Sequence, residues 1–179
     1  NPTGVVYDKE VLTGICDVLT RKSREIGHPA WLVRDEPYRF LAYDGATVPS
    51  VLPRYEYSVV CSSFSKNLGL AGERIGYLAV NPAMGKEDAA QLVSGLILTN
   101  RILGYVNSPC IGQQLIIKGL EDIQLALKLQ SDQLAVYAER RRIMADILTQ
   151  AGIEFQMPAG TFYFFPKPPN GMVDVAFVQ

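Results

Sequence analysis

The sequence predicts an α/β fold: part of a doubly wound, mostly parallel sheet, followed by the start of a smaller α+β domain. Three observations lead there. A segment of helical period precedes short continuous apolar runs of strand length. Polar residues gather at the carboxyl ends of those runs. A long helical stretch then separates them from two further strand-like runs rich in aromatic residues.

Asp8 stands before a segment with apolar residues at Val11, Leu12, Ile15, Val18, Leu19 and Ile26, which ends at Gly27 and reads as an amphipathic helix. Trp31-Leu32-Val33 suits a buried strand and delivers Asp35 at its carboxyl end. A second such run, Tyr57 to Cys61, ends in the cluster Ser62-Ser63-Phe64-Ser65-Lys66, and a third, Ile75 to Val80, stops at the turn Asn81-Pro82. Ligands of such sheets bind beyond the carboxyl ends of the strands, where Asp35 and Lys66 both fall.

From Lys86 the pattern turns helical, first to about Arg101, again after the Asn107-Ser108-Pro109 break, and then from about Asp122 to Gln150. The charge run Glu139 to Arg142 reads as a solvated helix face. Residues 153–157 and 161–165 read as two strands joined by Pro158-Ala159-Gly160, with prolines at 166, 168 and 169 closing the second. The expected organisation is therefore residues 1–121 as part of a large sheet domain, 122–150 as a connecting helix, and 151–179 as the start of a smaller domain.

Composition narrows the function. With 17 basic and 18 acidic residues spread along the chain, a net charge of −1 gives no footprint for nucleic acid or an anionic membrane, and small-molecule partners are favoured. Cys16, Cys61 and Cys110 stand apart in apolar settings without metal-ligand spacing, so they read as buried free thiols in a reducing cytoplasm, and no metal site is expected. The apolar stretch Leu92 to Leu103 is interrupted by Ser94, Gly95, Thr99, Asn100 and Arg101 and is too short and polar to span a bilayer. The chain opens on Asn1-Pro2-Thr3-Gly4 without a leader and stops inside an amphipathic segment, so a fragment lacking both ends is expected.

Around Lys66, two hydroxyls, an amine and a guanidinium fall within a dozen residues: Ser63, Ser65, Lys66 and Arg74. A phosphorylated carbonyl cofactor needs that set, because an amine bonds the aldehyde while hydroxyls and a forked cation hold the phosphate dianion. By itself such a lysine also reads as a surface residue. Asp35, in Asp35-Glu36-Pro37-Tyr38, suits a cationic partner such as a protonated pyridine nitrogen, and Tyr38 suits a neighbouring phenolic oxygen. The same two residues also read as a turn cap with a packed tyrosine.

Taken in order, Asn1-Pro2-Thr3-Gly4, Asp35-x-x-Tyr38, Ser63-x-Ser65-Lys66 and Asn67-x-Gly69-Leu70-x-x-Glu73-Arg74-x-Gly76 resemble the fold-type I aminotransferases of classes I and II, the aspartate-aminotransferase type. The resemblance covers nearly the whole chain. It implies pyridoxal 5′-phosphate as cofactor, with Lys66 bonded to it as a Schiff base and moving the proton between the substrate α-carbon and the cofactor's C4′. It implies that Asn1 and Tyr38 hydrogen-bond the phenolic oxygen, that Asp35 pairs with the pyridine nitrogen, and that Ser63 and Arg74 hold the phosphate with help from Ser65. Residues 1–121 would then be the carboxyl-terminal half of the cofactor-binding large domain. The implied reaction moves an amino group between an L-amino acid and a 2-oxo acid, in a homodimer when the protein is full length. The arginine gripping the substrate carboxylate would lie beyond Gln179, and a piece lacking both halves is expected to be inactive. Arg101 is a candidate to face a partner or substrate, or else simply ends a helix. Two alternatives share the same residues: a carbon–sulfur β-lyase, and the effector domain of a transcriptional regulator.

Overall fold

The computed structural model describes residues 1–178, with side chains through Phe177; Gln179, which closes the expected small-domain start, lies outside the described residues. The chain forms two compact units. The first, the sheet unit, comprises Tyr7–Pro37 and Pro49–Ala126.

Helix α1 (Lys9–Ile26) begins where the Asp8 carboxylate accepts from the Val11 amide at 2.8 Å, and stops at Gly27, whose left-handed φ of 76° a side chain would resist. Leu12 and Cys16, one turn apart, face inward and pack with Val51, Tyr55 and Val60. Burying one such leucine is worth about 1.5–3 kcal/mol.

Strands β1 (Leu32–Asp35), β2 (Ser58–Ser63) and β3 (Gly76–Val80) form a sheet in the order β1-β2-β3. β1 and β2 are parallel, with Leu32 opposite Ser58 and Asp35 opposite Cys61; β2 and β3 are antiparallel, with Val59 opposite Val80 and Ser63 opposite Gly76. The expected sheet was mostly parallel, and the described strands form one pair of each kind. The reason lies in residues 64–75, which hold the short helix α2 (Phe64–Asn67) and a 3-10 turn (Ala71–Glu73) and reverse the chain instead of carrying it across the sheet.

A second difference concerns β1. Its residues alternate between half-buried and exposed, Val33 being 62% exposed, so it is not the buried strand expected from its composition. Among the described residues β1 is paired on one side, whereas β2, between β1 and β3, opens with three buried residues. Asp35 is consequently open to solvent and bears no burial cost.

The amino end of β2 is locked by polar groups. The Asn81 amide nitrogen donates to the Leu52 and Tyr55 carbonyls (2.8 and 2.7 Å) and to the Ser58 hydroxyl (3.0 Å), while its Oδ1 accepts from the Ala83 amide. The Ser58 hydroxyl in turn donates to the Tyr55 carbonyl at 2.6 Å. Helices α3 (Lys86–Ile102) and α4 (Cys110–Glu121) complete this unit, on either side of the expected break. Arg101 lies exposed in the last turn of α3, the helix-ending position.

The second unit comprises Asn1–Val6, Tyr38–Val48 and the chain from Leu127 onward. Most of α5 (Ile123–Gln150) belongs to it, followed by a 3-10 turn (Pro169–Gly171) and α6 (Asp174–Val178). Gly4 is the hub of its loops: its carbonyl accepts from the Ala159 and Gly160 amides at 2.8 and 3.1 Å. A Cβ built on Gly4 would fall 2.3 Å from Pro158 Cβ, and φ there is 73°, so this approach requires glycine. The runs 153–157 and 161–165, expected as strands, join no ladder. The backbone around them bonds other loops, Tyr43 donating to the Ala159 carbonyl and Thr161 to Leu41, and one bond, from Lys167 to Glu154, links the first run to the chain just past the second. Alternating apolar residues favour an extended chain, but a strand also needs an aligned neighbouring edge.

Candidate functional site

In the sheet unit, five of the sequence-derived residues gather at one end of the sheet. Register places Asp35 beside Cys61, two positions before Ser63, and the Glu36 amide extends the parallel ladder by donating to the Cys61 carbonyl at 2.8 Å. Burial, and after it the Asp35 carboxylate, push the Cys61 thiol above its ordinary pKa. Asp35 therefore projects negative charge over the carboxyl end of β2, at the topological position where sheets of this kind receive ligands.

β2 runs directly into α2, which carries Ser65 and Lys66. Ser63 caps that helix: its hydroxyl accepts from the Ser65 amide at 3.0 Å. Its single proton is contested by the Ser65 hydroxyl at 2.8 Å and the Ile75 carbonyl at 3.3 Å. A proton with two competing acceptors is easily redirected to a ligand oxygen. Lys66 is half-buried, one turn from the strand end. The adjoining Asn67 has a buried Oδ1 with no hydrogen-bond partner among the described residues, a position that a group from outside this chain can satisfy.

Arg74 returns to this cluster through the chain reversal. The Phe64 amide donates to the Ile75 carbonyl at 3.1 Å and the Leu70 amide to Phe64 at 3.1 Å, tying the two ends of the loop to the start of α2. Arg74 holds a left-handed backbone (φ 52°, ψ 44°), and its guanidinium is exposed, donating to the Ala71 carbonyl at 2.8 Å. A non-glycine residue held there is strained by about 1 kcal/mol and marks a backbone fixed by its surroundings. Gly76 permits the last approach, since a Cβ on it would lie 2.5 Å from the Ser62 carbonyl oxygen.

The remaining two candidates, Asn1 and Tyr38, belong to the second unit. Asn1 is exposed at the head of the segment held by Gly4. The Tyr38 hydroxyl is 2.8 Å from that of Tyr163, and its ring meets Phe162 and Tyr163 edge-on at 5.1 and 5.6 Å. Phe162 in turn stacks on Tyr137 of α5 at 5.5 Å. Tyr163 was not singled out from sequence, because 125 residues separate it from Tyr38 and no local pattern links them. Among the described residues no His, Cys, Asp and Glu cluster is suited to a metal, and no helix is long and apolar enough to cross a membrane.

Comparison with known proteins gives this arrangement its family. The model for aminotransferase class I and II matches residues 1–179. The aspartate aminotransferase of Thermotoga maritima is 29% identical, over 93% of this chain and 39% of its own length. That of Pyrococcus horikoshii is 28% identical over 93% of this chain and 39% of its own. The crystal structure of an amino transferase from Eubacterium rectale superposes with a TM-score of 0.84 at 37% identity, covering 99% of this chain and 42% of that one. The chain thus spans about two fifths of the length of these relatives. By the extent of the family match and by its mixed α/β fold, the chain belongs to the class I and II aminotransferases.

Proposed function

We propose that the full-length protein is a pyridoxal-phosphate-dependent aminotransferase that moves an amino group between an L-amino acid and a 2-oxo acid. The observation that carries this is the grouping of Asp35, Ser63, Ser65, Lys66 and Arg74 at the carboxyl end of β1 and β2, tied together by the Ser63, Phe64 and Ile75 hydrogen bonds. The donor set fits the cofactor: two hydroxyls with one redirectable proton and an exposed guanidinium for a phosphate dianion, an amine for an aldehyde, and a carboxylate for a ring cation.

When bound, pyridoxal phosphate supplies an aldehyde and an electron-withdrawing ring. The chain's own residues do the rest. Ser63, Ser65 and Arg74 bind the phosphate, the forked guanidinium matching two oxygens at once. Asp35 keeps the ring nitrogen protonated by charge pairing. Asn1 and Tyr38 donate to the phenolic oxygen, and Tyr163 supports the Tyr38 hydroxyl. Lys66 Nζ would be the amine that holds the cofactor's aldehyde, and it would move the proton at the substrate α-carbon. We further assign residues 1–121 to the cofactor-binding domain, 122–150 to the connector and 151–179 to the opening of a small domain, which the unbroken α5 supports. A homodimer in a reducing cytoplasm is proposed for the full-length protein, the latter on its three free thiols.

The test is direct. The full-length protein mixed with pyridoxal phosphate should gain a visible absorbance that borohydride fixes onto Lys66, and an amino acid should convert the cofactor to its pyridoxamine form. Label on another lysine sinks the site. Release of ammonia in place of pyridoxamine formation points to an eliminating lyase.

A further inference from the structure

Beside the Arg74 loop runs α4, which approaches it with a glycine. A Cβ built on the buried Gly112 would fall 2.5 Å from Ile75 Cδ1, 2.9 Å from Glu73 Cβ and 3.2 Å from the Glu73 carboxylate. These are the two neighbours of Arg74, and they are met from one side. From the other side the Ile75 carbonyl receives the Phe64 amide and the Ser63 hydroxyl. Seven residues along α4, two helical turns on the same face, a Cβ on Gly119 would meet Leu68 Cδ1 at 4.0 Å. The buried Ile116 lies between them on that face. α4 therefore lies along the loop from Leu68 to Ile75, and of its two glycines Gly112 comes nearer.

The left-handed backbone of Arg74 needs such confinement. An arginine is not disposed to φ 52°, and the hydrogen bond from its guanidinium to Ala71 is local and exposed, so it does not hold the neighbouring residues in place. What fixes the loop is the pinning of Ile75 against α2 and the seating of Glu73 and Ile75 against the bare backbone of α4.

We propose that Gly112 is a positioning residue for Arg74: by lacking a side chain it lets α4 seat Glu73 and Ile75, and so sets the guanidinium between them for the cofactor's phosphate. This rests on the assignment of Arg74 to that phosphate. A side chain at position 112 displaces Glu73 and Ile75 in the same direction and carries Arg74 off its phosphate-binding position, while Lys66 and Asp35, on other segments, keep theirs.

The experiment compares the affinity of the full-length protein for pyridoxal 5′-phosphate and for pyridoxal, which has the same ring and aldehyde but no phosphate. The readout is the ratio of the two. Gly112→Val should lower that ratio about tenfold and Gly112→Ala about threefold, with pyridoxal affinity unchanged within about twofold, because a sub-ångström misplacement of one charged donor has effects of this order. Ile75→Val removes the Cδ1 that the new Cβ meets most closely and leaves the Glu73 contact, so Gly112→Ala with Ile75→Val should recover part of the ratio; a merely destabilising pair would add. Arg74→Ala is the reference. If it lowers the ratio and the Gly112 variants do not, or if they weaken both ligands equally, the positioning role is wrong and the phosphate assignment stands. If Arg74→Ala leaves the ratio unchanged, both fall. Should Gly112→Val fail to fold, the Gly112→Ala and double variants decide.

Discussion

The two ends of β2 are built from the same kinds of residue and put to opposite uses. At the amino end, Ser58 is fully buried and saturated: its hydroxyl donates to Tyr55 and accepts from Asn81, itself 2% exposed. At the carboxyl end, Ser63 is half-buried, and its proton is divided between another hydroxyl and one distant carbonyl. A serine whose donor and acceptor partners are both buried is structure. A half-buried serine whose one proton is shared between two acceptors retains capacity for a ligand. Residue type does not separate the two; saturation and access do.

Four substitutions test that contrast. Asn81→Ala strands the Leu52 carbonyl and the Ala83 amide, leaves the Tyr55 carbonyl with the Ser58 hydroxyl alone, and should cost about 3 kcal/mol in urea unfolding, with the preference for pyridoxal phosphate over pyridoxal unchanged. A fall in that preference would mean that the two ends are coupled. Ser63→Ala should reverse the pattern: about a tenfold loss of pyridoxal phosphate affinity, near 1.4 kcal/mol, beside the roughly 1 kcal/mol of stability that a lost helix cap carries. Ser58→Ala should cost about 1 kcal/mol of stability and leave cofactor affinity untouched, so a binding defect there would break the comparison outright.

The smallest effect concerns charge. Burial, and after it Asp35, hold the Cys61 thiol up, so Asp35→Asn should lower that pKa, increase the thiolate fraction at pH 8, and speed alkylation of Cys61 in the cofactor-free full-length protein. Cys16 is the internal control. Burial raises its pKa first, and its charged influences are Arg54, Asp17 and Arg34, so its rate should not change.

Much of the fold was legible along the chain. α1 with its Asp8 cap and Gly27 stop, the three strands, the break before α4 and the long α5 all follow from local period, capping and turn residues, which act within a few positions. The candidate residues were legible for a similar reason: Ser63, Ser65, Lys66 and Arg74 lie on one short reversal of the chain. Where reading stopped short, long-range partners were decisive. β1 composes like a buried strand but alternates between half-buried and exposed, paired among the described residues with β2. The run 161–165 is composed like a strand, rich in aromatic residues, yet its surroundings bond to Gly4 and Leu41.

The sequence by itself determined the main helices and the three strands of the sheet, that polar chemistry collects where β1 and β2 end, and which lysine lies within it. These depend on periodicity and on neighbours a few residues away. Only the tertiary structure decided that β3 returns antiparallel, that Tyr163 meets Tyr38, that Ser58 is locked while Ser63 is available, and that α4 presses a glycine against the loop of Arg74. Each depends on which distant surfaces meet, and the energies that select them, those of packing, burial and hydrogen-bond saturation, exist only once the chain has closed on itself.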